Sequence, residues 1–154
     1  MRSRTANWFL CKIRYEKTME DGLQKRVTEQ YVINALSFTE AEARIMEEMA
    51  SCISGEFEVW EIDRAVFREI FFSDEDTADK WYKSKLQFIT IDEKTSKEKK
   101  TSVYYLVQGR SLEDARKNID EVMGGTMIDY VICAVSETSI MDVFEYRQHE
   151  AQSE

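Results

Sequence analysis

Trp8-Phe-Leu-Cys-Lys-Ile-Arg-Tyr15 is answered 73 residues further on by Trp81-Tyr-Lys-Ser-Lys-Leu-Gln-Phe88. Phe9, Cys11, Ile13 and Tyr15 fall on one face of an extended chain, and Trp8, Leu10, Lys12 and Arg14 on the other, which predicts a strand with one buried face. A second pair follows at an offset of 74, Tyr31-Val-Ile-Asn-Ala-Leu-Ser37 with Tyr105-Leu-Val-Gln-Gly-Arg-Ser111. Beyond it the offset returns to 73, where Phe57, Val59, Ile62, Phe67, Ile70 and Phe71 face Tyr130, Ile132, Val135, Ile140, Val143 and Phe144. The slips of one residue fall where loops are expected, while the apolar pattern persists on three separate elements. This reads as an internal duplication, with copies at about 7–72 and 80–146.

Each copy reads as strand, strand, helix, and then a long or bent strand. A loop holding Asp21-Gly22 closes the first hairpin, and a charged loop from Asp92 to Lys100 the second. The helices open at Ser37, with Glu40 three residues on, and at Ser111, with Asp114 in the matching place. Their expected buried stripes are Phe38, Ala41, Ile45 and Met49, and Leu112, Ala115, Ile119 and Met123. Gly55 and Gly124-Gly125 are expected to stop them through positive φ. Alternation fails near Asp63 and Glu137, which predicts a bulge or turn in each final segment. Residues 73–79 read as an acidic linker and 147–154 as a flexible tail. The expected whole is one compact α+β domain spanning 1–154: an antiparallel sheet with both helices on one face and pseudo-twofold symmetry.

The chain has 154 residues, 43% of them hydrophobic, with 8 Phe, 7 Tyr and 3 Trp, far too apolar for a solvated coil. It carries a formal charge of −9. No apolar run is long enough to span a membrane, and Met1 to Asn7 lacks the apolar core of a signal peptide. Three cysteines without paired spacing fit reduced thiols, so a cytoplasmic protein is expected.

Three ordered blocks carry a resemblance: Trp8 to Tyr15; Ala35-Leu-Ser-Phe-Thr-Glu-Ala-Glu-Ala-Arg44; and Trp81-Tyr-Lys-Ser-Lys-Leu-Gln-Phe-Ile89. With the closing Met141-Asp-Val-Phe144, they resemble a small bacterial and phage family, domain of unknown function 4494, over nearly the whole chain. The resemblance implies no activity, ligand or catalytic residue.

The residues themselves point away from catalysis. Cys11 lies on an apolar strand face, and the only histidine, His149, sits in the polar tail. Cys52 and Cys133 have no partner at metal-ligand spacing, so neither a metal site nor a cofactor is expected. Glu40 and Asp114 are explained as helix caps. Glu69 and Asp142 recur between apolar neighbours, which leaves a paired-carboxylate enzyme as a third reading. The linker acids Asp74, Glu75, Asp76 and Asp79 lack the Gly and distal Glu of a calcium loop.

The outer strand faces are the better lead. They carry Trp8, Lys12 and Arg14 with Gln30 on the neighbouring strand, and Trp81, Lys83 and Lys85 with Tyr104. These eight residues form the candidate binding surface. Aromatics among apolar neighbours, rimmed by cations, suit a protein partner or self-assembly, and the acidic composition favours that reading. The same aromatics and cations suit single-stranded nucleic acid as the alternative. A non-enzymatic binding protein with no membrane partner is expected.

Overall fold

A computed structural model describes residues 1–147; His149 and nearly all of the expected 147–154 tail lie outside the described residues. The elements run β1 (Arg2–Thr5), β2 (Trp8–Thr18), β3 (Gln24–Asn34), α1 (Phe38–Cys52), β4 (Phe57–Arg64), β5 (Glu69–Phe72), β6 (Lys80–Ile91), β7 (Glu98–Gly109), α2 (Leu112–Gly124), β8 (Asp129–Glu137) and β9 (Ile140–Phe144). The protein is α+β and mostly strand. Its contacts divide it into two units. Unit 1 holds residues 1–6 and 66–138; unit 2 holds residues 7–65 and the chain from 139 onward.

In unit 2 the sheet order is β4-β2-β3-β9, with α1 on one face. The β2–β3 hairpin pairs from Trp8↔Asn34 to Thr18↔Gln24, and Gly22 at φ +82° makes its turn. That backbone conformation suits glycine and strains most other residues. Phe9, Cys11, Ile13 and Ile33 pack against Ala41, Ile45 and Met49 of α1, all of them buried. The alternation of β2 and the helical spacing of α1 therefore meet in one core, as two amphipathic surfaces must.

In unit 1 the order is β1-β5-β7-β6-β8, and α2 covers Tyr82, Leu86, Tyr105 and Val107 with Ala115, Ile119 and Met123. The helix comes close to β7 at Gly109, where an added Cβ would stand 3.1 Å from the Ala115 backbone nitrogen. Ala35 occupies the matching place in unit 2 and is also buried.

The final strands correct the antiparallel expectation. β9 pairs parallel with β3, Tyr31↔Asp142 to Ile33↔Phe144, and β5 pairs parallel with β7, Glu69↔Tyr105 to Phe71↔Val107. Both sheets are mixed. β5 follows β4 in the chain yet joins the sheet of β7, and β9 follows β8 yet joins the sheet of β3. A strand arriving by such a crossing is not turned back by a hairpin, so nothing forces it to run antiparallel. The unit boundaries consequently fall at 65/66 and 138/139, inside the expected copies 7–72 and 80–146.

Each final strand is anchored by an amide at the end of its neighbour. Asn34 accepts a hydrogen bond from the Tyr146 backbone N–H (2.7 Å) and donates to the Tyr146 carbonyl (2.9 Å). In unit 1 Gln108 accepts from the Ser73 N–H (2.9 Å) and donates to the Ala78 carbonyl (2.8 Å). The expected solvated linker is thus fastened down, and Ala78 is buried.

The helix starts match the capping pattern. Ser37 accepts from the Glu40 N–H and Glu40 from the Leu36 N–H, while Ser111 and Asp114 do the same with the N–H groups of Asp114 and Arg110. Two local expectations need correction. Neither Gly55 nor Gly124 and Gly125 uses positive φ; α1 ends at Ile53 in extended backbone, and Gly125 sits at φ −81°. Phe38 and Leu112, at the first helical positions, are 46% and 51% exposed instead of buried, because each also borders an open groove, although the Phe38 ring meets Phe9 of β2 edge-on at 5.0 Å. Arg44 and Asn118 take buried places on these helices.

Candidate functional site

The register resolves each outer sheet face into rows. In unit 2, Lys12 lies between Gln30 and Glu61, and Arg14 between Thr28 and Glu58. Leu10 lies between Val32 and Asp63. In unit 1, Lys85 lies between Tyr104 and Ala134, and Lys83 between Leu106 and Ser136. Gln87 lies between Ser102 and Val131. β4 and β8 each fit one extra residue, Trp60 and Cys133, at matching places in the ladder.

The expected site residues therefore divide into three groups. Trp8 and Trp81 belong to the sheet core rather than to its open surface, each only 3% exposed. Trp8 shares its face with the buried Val32, Ile140 and Val143, and the Trp81 ring meets Phe72 edge-on at 5.7 Å. An indole buried this way offers no free face for a base or a partner side chain. Lys12 and Arg14 are reachable but engaged. The Lys12 ammonium is 3.0 Å from Glu61, and the Arg14 guanidinium lies 3.5 Å above the half-exposed Trp60 ring. Lys12 holds the Glu61 carboxylate below its usual range, while the hydrogen bond that Asp63 makes to Glu61 raises the Asp63 carboxyl. Gln30 sits beside Lys12, partly exposed.

Lys83, Lys85 and Tyr104 make the third group: they are brought together, partly exposed, with no carboxylate in their rows. The Lys83 ammonium stands 4.9 Å from the centre of the Tyr104 ring. Among the described residues neither lysine is in an ion pair.

Each unit also has a groove between its helix start and its edge strand. In unit 2, Phe38, Thr39 and Glu42 face Val59, Trp60 and Ile62 across about 330 Å³. In unit 1, Leu112, Glu113 and Arg116 face Ile132, Cys133 and Val135 across about 320 Å³. Phe38, Trp60, Leu112 and Val131 at these edges are all 46–51% exposed. The sequence marked Phe38 and Leu112 as core, so the grooves escaped it; the exposed bulge residues were the missing signal.

A polar cluster in unit 2 was also missed. Glu29 accepts hydrogen bonds from Tyr15 (2.7 Å) and Tyr31 (3.2 Å), with Lys17 at 3.6 Å. Burial, helped by Glu29, pushes the Tyr15 hydroxyl up to about 12 and raises that of Tyr31. Leu86 faces Val103 where Ile13 faces Glu29, so the corresponding place in unit 1 is apolar. Glu29 interrupts an alternating apolar face, which was its only sequence signal. Two hydroxyl donors and the Lys17 ammonium satisfy this carboxylate, and it acts as a fastening inside the unit.

The other candidate chemistries are not assembled within either unit. Glu69 belongs to unit 1, where Thr5 donates to it at 3.0 Å, and Asp142 belongs to unit 2, where burial raises its carboxyl. Cys11 is fully buried, which pushes its thiol up to about 12 and leaves little thiolate. All three cysteines are free. Among the described residues no group of three or more His, Cys, Asp or Glu could hold a metal ion. No helix among them is long and apolar enough to cross a membrane.

Fold and surface together define a two-unit α+β protein with open sheet faces and edge grooves. Residues 7–146 match the family model of a domain of unknown function, DUF4494, and the chain belongs to that family. No curated protein and no solved structure matches it.

Proposed function

We propose that this is a non-enzymatic interaction protein, acting in the cytoplasm of a bacterium or its phage, whose partner is another protein chain. The observation that carries the reading is the groove repeated in both units beside a strand with one unpaired edge. Half-exposed large apolar side chains beside free backbone N–H and C=O groups suit the addition of an extended segment, with side chains seated in the groove. The three free cysteines favour a reducing compartment. Residues 7–72 and 80–146 are read as copies of one duplicated element; their shared order of elements, β2-β3-α1-β4-β5 and β6-β7-α2-β8-β9, and the matching bulges of β4 and β8 support it.

The partner in this reading is a second copy, joined through β8. Val131 to Val135 of that strand carries no charge, whereas β4 presents Glu58, Glu61 and Asp63. Two β8 strands can therefore lie antiparallel without like charges meeting at their centre; two β4 strands cannot. Cys133 stands mid-strand and exposed, so the joined edges bring two such thiols near each other.

Light scattering over a concentration series tests this against the 18.2 kDa chain mass. The mass is expected to double, and Leu112→Glu is expected to return it to one chain. In a Cys52→Ser background, a short bismaleimide is expected to link the copies through Cys133. A single-chain mass throughout, or a dimer indifferent to Leu112→Glu that does not cross-link at Cys133, overturns the proposal.

A further inference from the structure

We infer that the outer sheet face of unit 1 binds single-stranded nucleic acid through Lys83, Lys85 and Tyr104, a site separate from the β8 groove. Nine register-matched positions on the two outer faces differ in charge. On β2–β3–β4 these hold Lys12 and Arg14 against Glu58, Glu61 and Asp63, a net charge of −1. On β6–β7–β8 they hold Lys83 and Lys85 with no acid at all, a net charge of +2. Ala134, Val131 and Ser136 stand where the three acids stand in unit 2. At these nine positions the same framework thus carries a self-neutralised surface in one unit and a basic one in the other.

The arrangement fits a phosphate chain with bases. Lys83 and Lys85 are two residues apart on one strand face, hence about 6.7 Å apart, the scale of neighbouring phosphates along an extended strand. Tyr104 is the cross-strand neighbour of Lys85 and lies under the Lys83 ammonium, so a base that stacks on its ring displaces that ammonium to the phosphates and sits between the two charges. Gln87 and Ser102 continue the face with hydrogen-bonding groups and no charge. Towards the hairpin end the next row, Lys100–Ile89–Asp129, is neutral, so the positive charge of this face is concentrated at Lys83 and Lys85. A duplex fits less well. Its bases are stacked away from Tyr104, and its denser charge meets the overall −9 of the chain.

The test is fluorescence anisotropy with a fluorescein-labelled oligothymidylate of about 12 nucleotides, within the usual footprint of such surfaces. With two phosphates neutralised, the salt slope is about −1.4, so raising salt from about 50 to 200 mM lowers affinity about sevenfold. Lys83→Gln with Lys85→Gln is expected to remove most of the binding and the salt dependence. Tyr104→Ala is expected to weaken it roughly 5- to 150-fold. Lys12→Gln with Arg14→Gln, which removes the two cations from the outer face of unit 2, is expected to leave affinity unchanged. Far-UV circular dichroism checks that each variant is folded. A bromodeoxyuridine-substituted oligomer cross-linked to the unaltered protein gives a second readout, with adducts expected on β6–β7. No binding at about 50 mM salt, equal affinity for a duplex of the same length, equal binding by the lysine variant, or adducts confined to unit 2 each overturns the inference.

Discussion

Arg44 is the residue whose loss should be felt most for its size. It is 7% exposed on α1, yet it carries a full charge. One guanidinium nitrogen donates to the Asn34 carbonyl at 2.6 Å, another lies 3.0 Å from Glu40, and the group stands 4.5 Å from the Tyr146 ring centre. Arg44→Ala leaves the buried Asn34 carbonyl without this donor, which costs about 1–3 kcal/mol. The lost contact with Tyr146 adds about 0.5–2 kcal/mol. Glu40 is partly exposed, so its ion pair adds no more than about 1 kcal/mol. A loss of about 3 kcal/mol is therefore expected. Unit 1 supplies the control. There Asn118 donates to the Gln108 carbonyl at 3.0 Å and does the same work without charge. Arg44→Asn should keep the carbonyl bonded and lose only about half as much. Urea unfolding followed by circular dichroism measures both variants, and the Ala variant should melt about 6–12 °C lower. An Arg44→Ala protein within about 1 kcal/mol of the parent, or an Asn variant no better than the Ala one, would refute the assigned role.

Two further outcomes follow from buried groups. Ser84 is fully buried, and among the described residues its hydroxyl has no hydrogen-bond partner, whereas Cys11 fills the matching place in unit 2. Ser84→Cys should raise stability by about 1 kcal/mol in urea unfolding, and a loss of that size would show that the hydroxyl is bonded after all. In alkali, burial holds the Cys11 thiol up at about 12 against an ordinary 9.0, and holds the hydroxyls of Tyr15, Tyr105 and Tyr146 up at about 12 against 10.0. The folded state favours the protonated forms, so their contribution is complete below pH 9 and drains away as pH climbs from there to 12. Melting temperatures recorded across that range should fall steadily, and Cys11→Ala should flatten the first part of the decline. A profile flat to pH 12 would contradict these assignments.

The parts of this fold legible in the sequence are those decided locally. Alternation in Trp8–Tyr15 puts Phe9, Cys11 and Ile13 on the helix side whatever the strand's neighbours are. Ser37 with Glu40 and Ser111 with Asp114 fix the helix starts within four residues of chain. Which sheet receives β5 or β9 is a long-range choice, and Phe71 and Phe144 have the same apolar pattern under either outcome. The burial of Trp8 and Trp81 escaped for a related reason. Alternation assigns a side chain to a face, and here each face is apolar and covered at its Trp end but polar and open at its lysine end. The eight expected site residues were placed on the correct face; the boundary between its two halves was not readable from spacing.

That boundary also explains why charge separates the units more sharply than packing does. Ile45 and Ile119, or Met49 and Met123, fill matching core places with the same residue, because a cavity there costs a few kcal/mol. The outer faces answer to no such demand. An exposed pair such as Lys12–Glu61 contributes little to stability, so Ala134 at the matching place beside Lys85 costs the fold almost nothing. What it changes is the field: with no acid at Val131, Ala134 or Ser136, the potential directly above Lys83 and Lys85 is set mainly by the lysines. Stability thus leaves these positions free, and only a ligand that senses the face distinguishes the two units. Putting Glu at 134 and 136, as Glu61 and Asp63 stand in unit 2, should accordingly abolish oligothymidylate binding while leaving the urea midpoint unmoved. A loss of stability on that change would place the acid-free face under folding rather than binding.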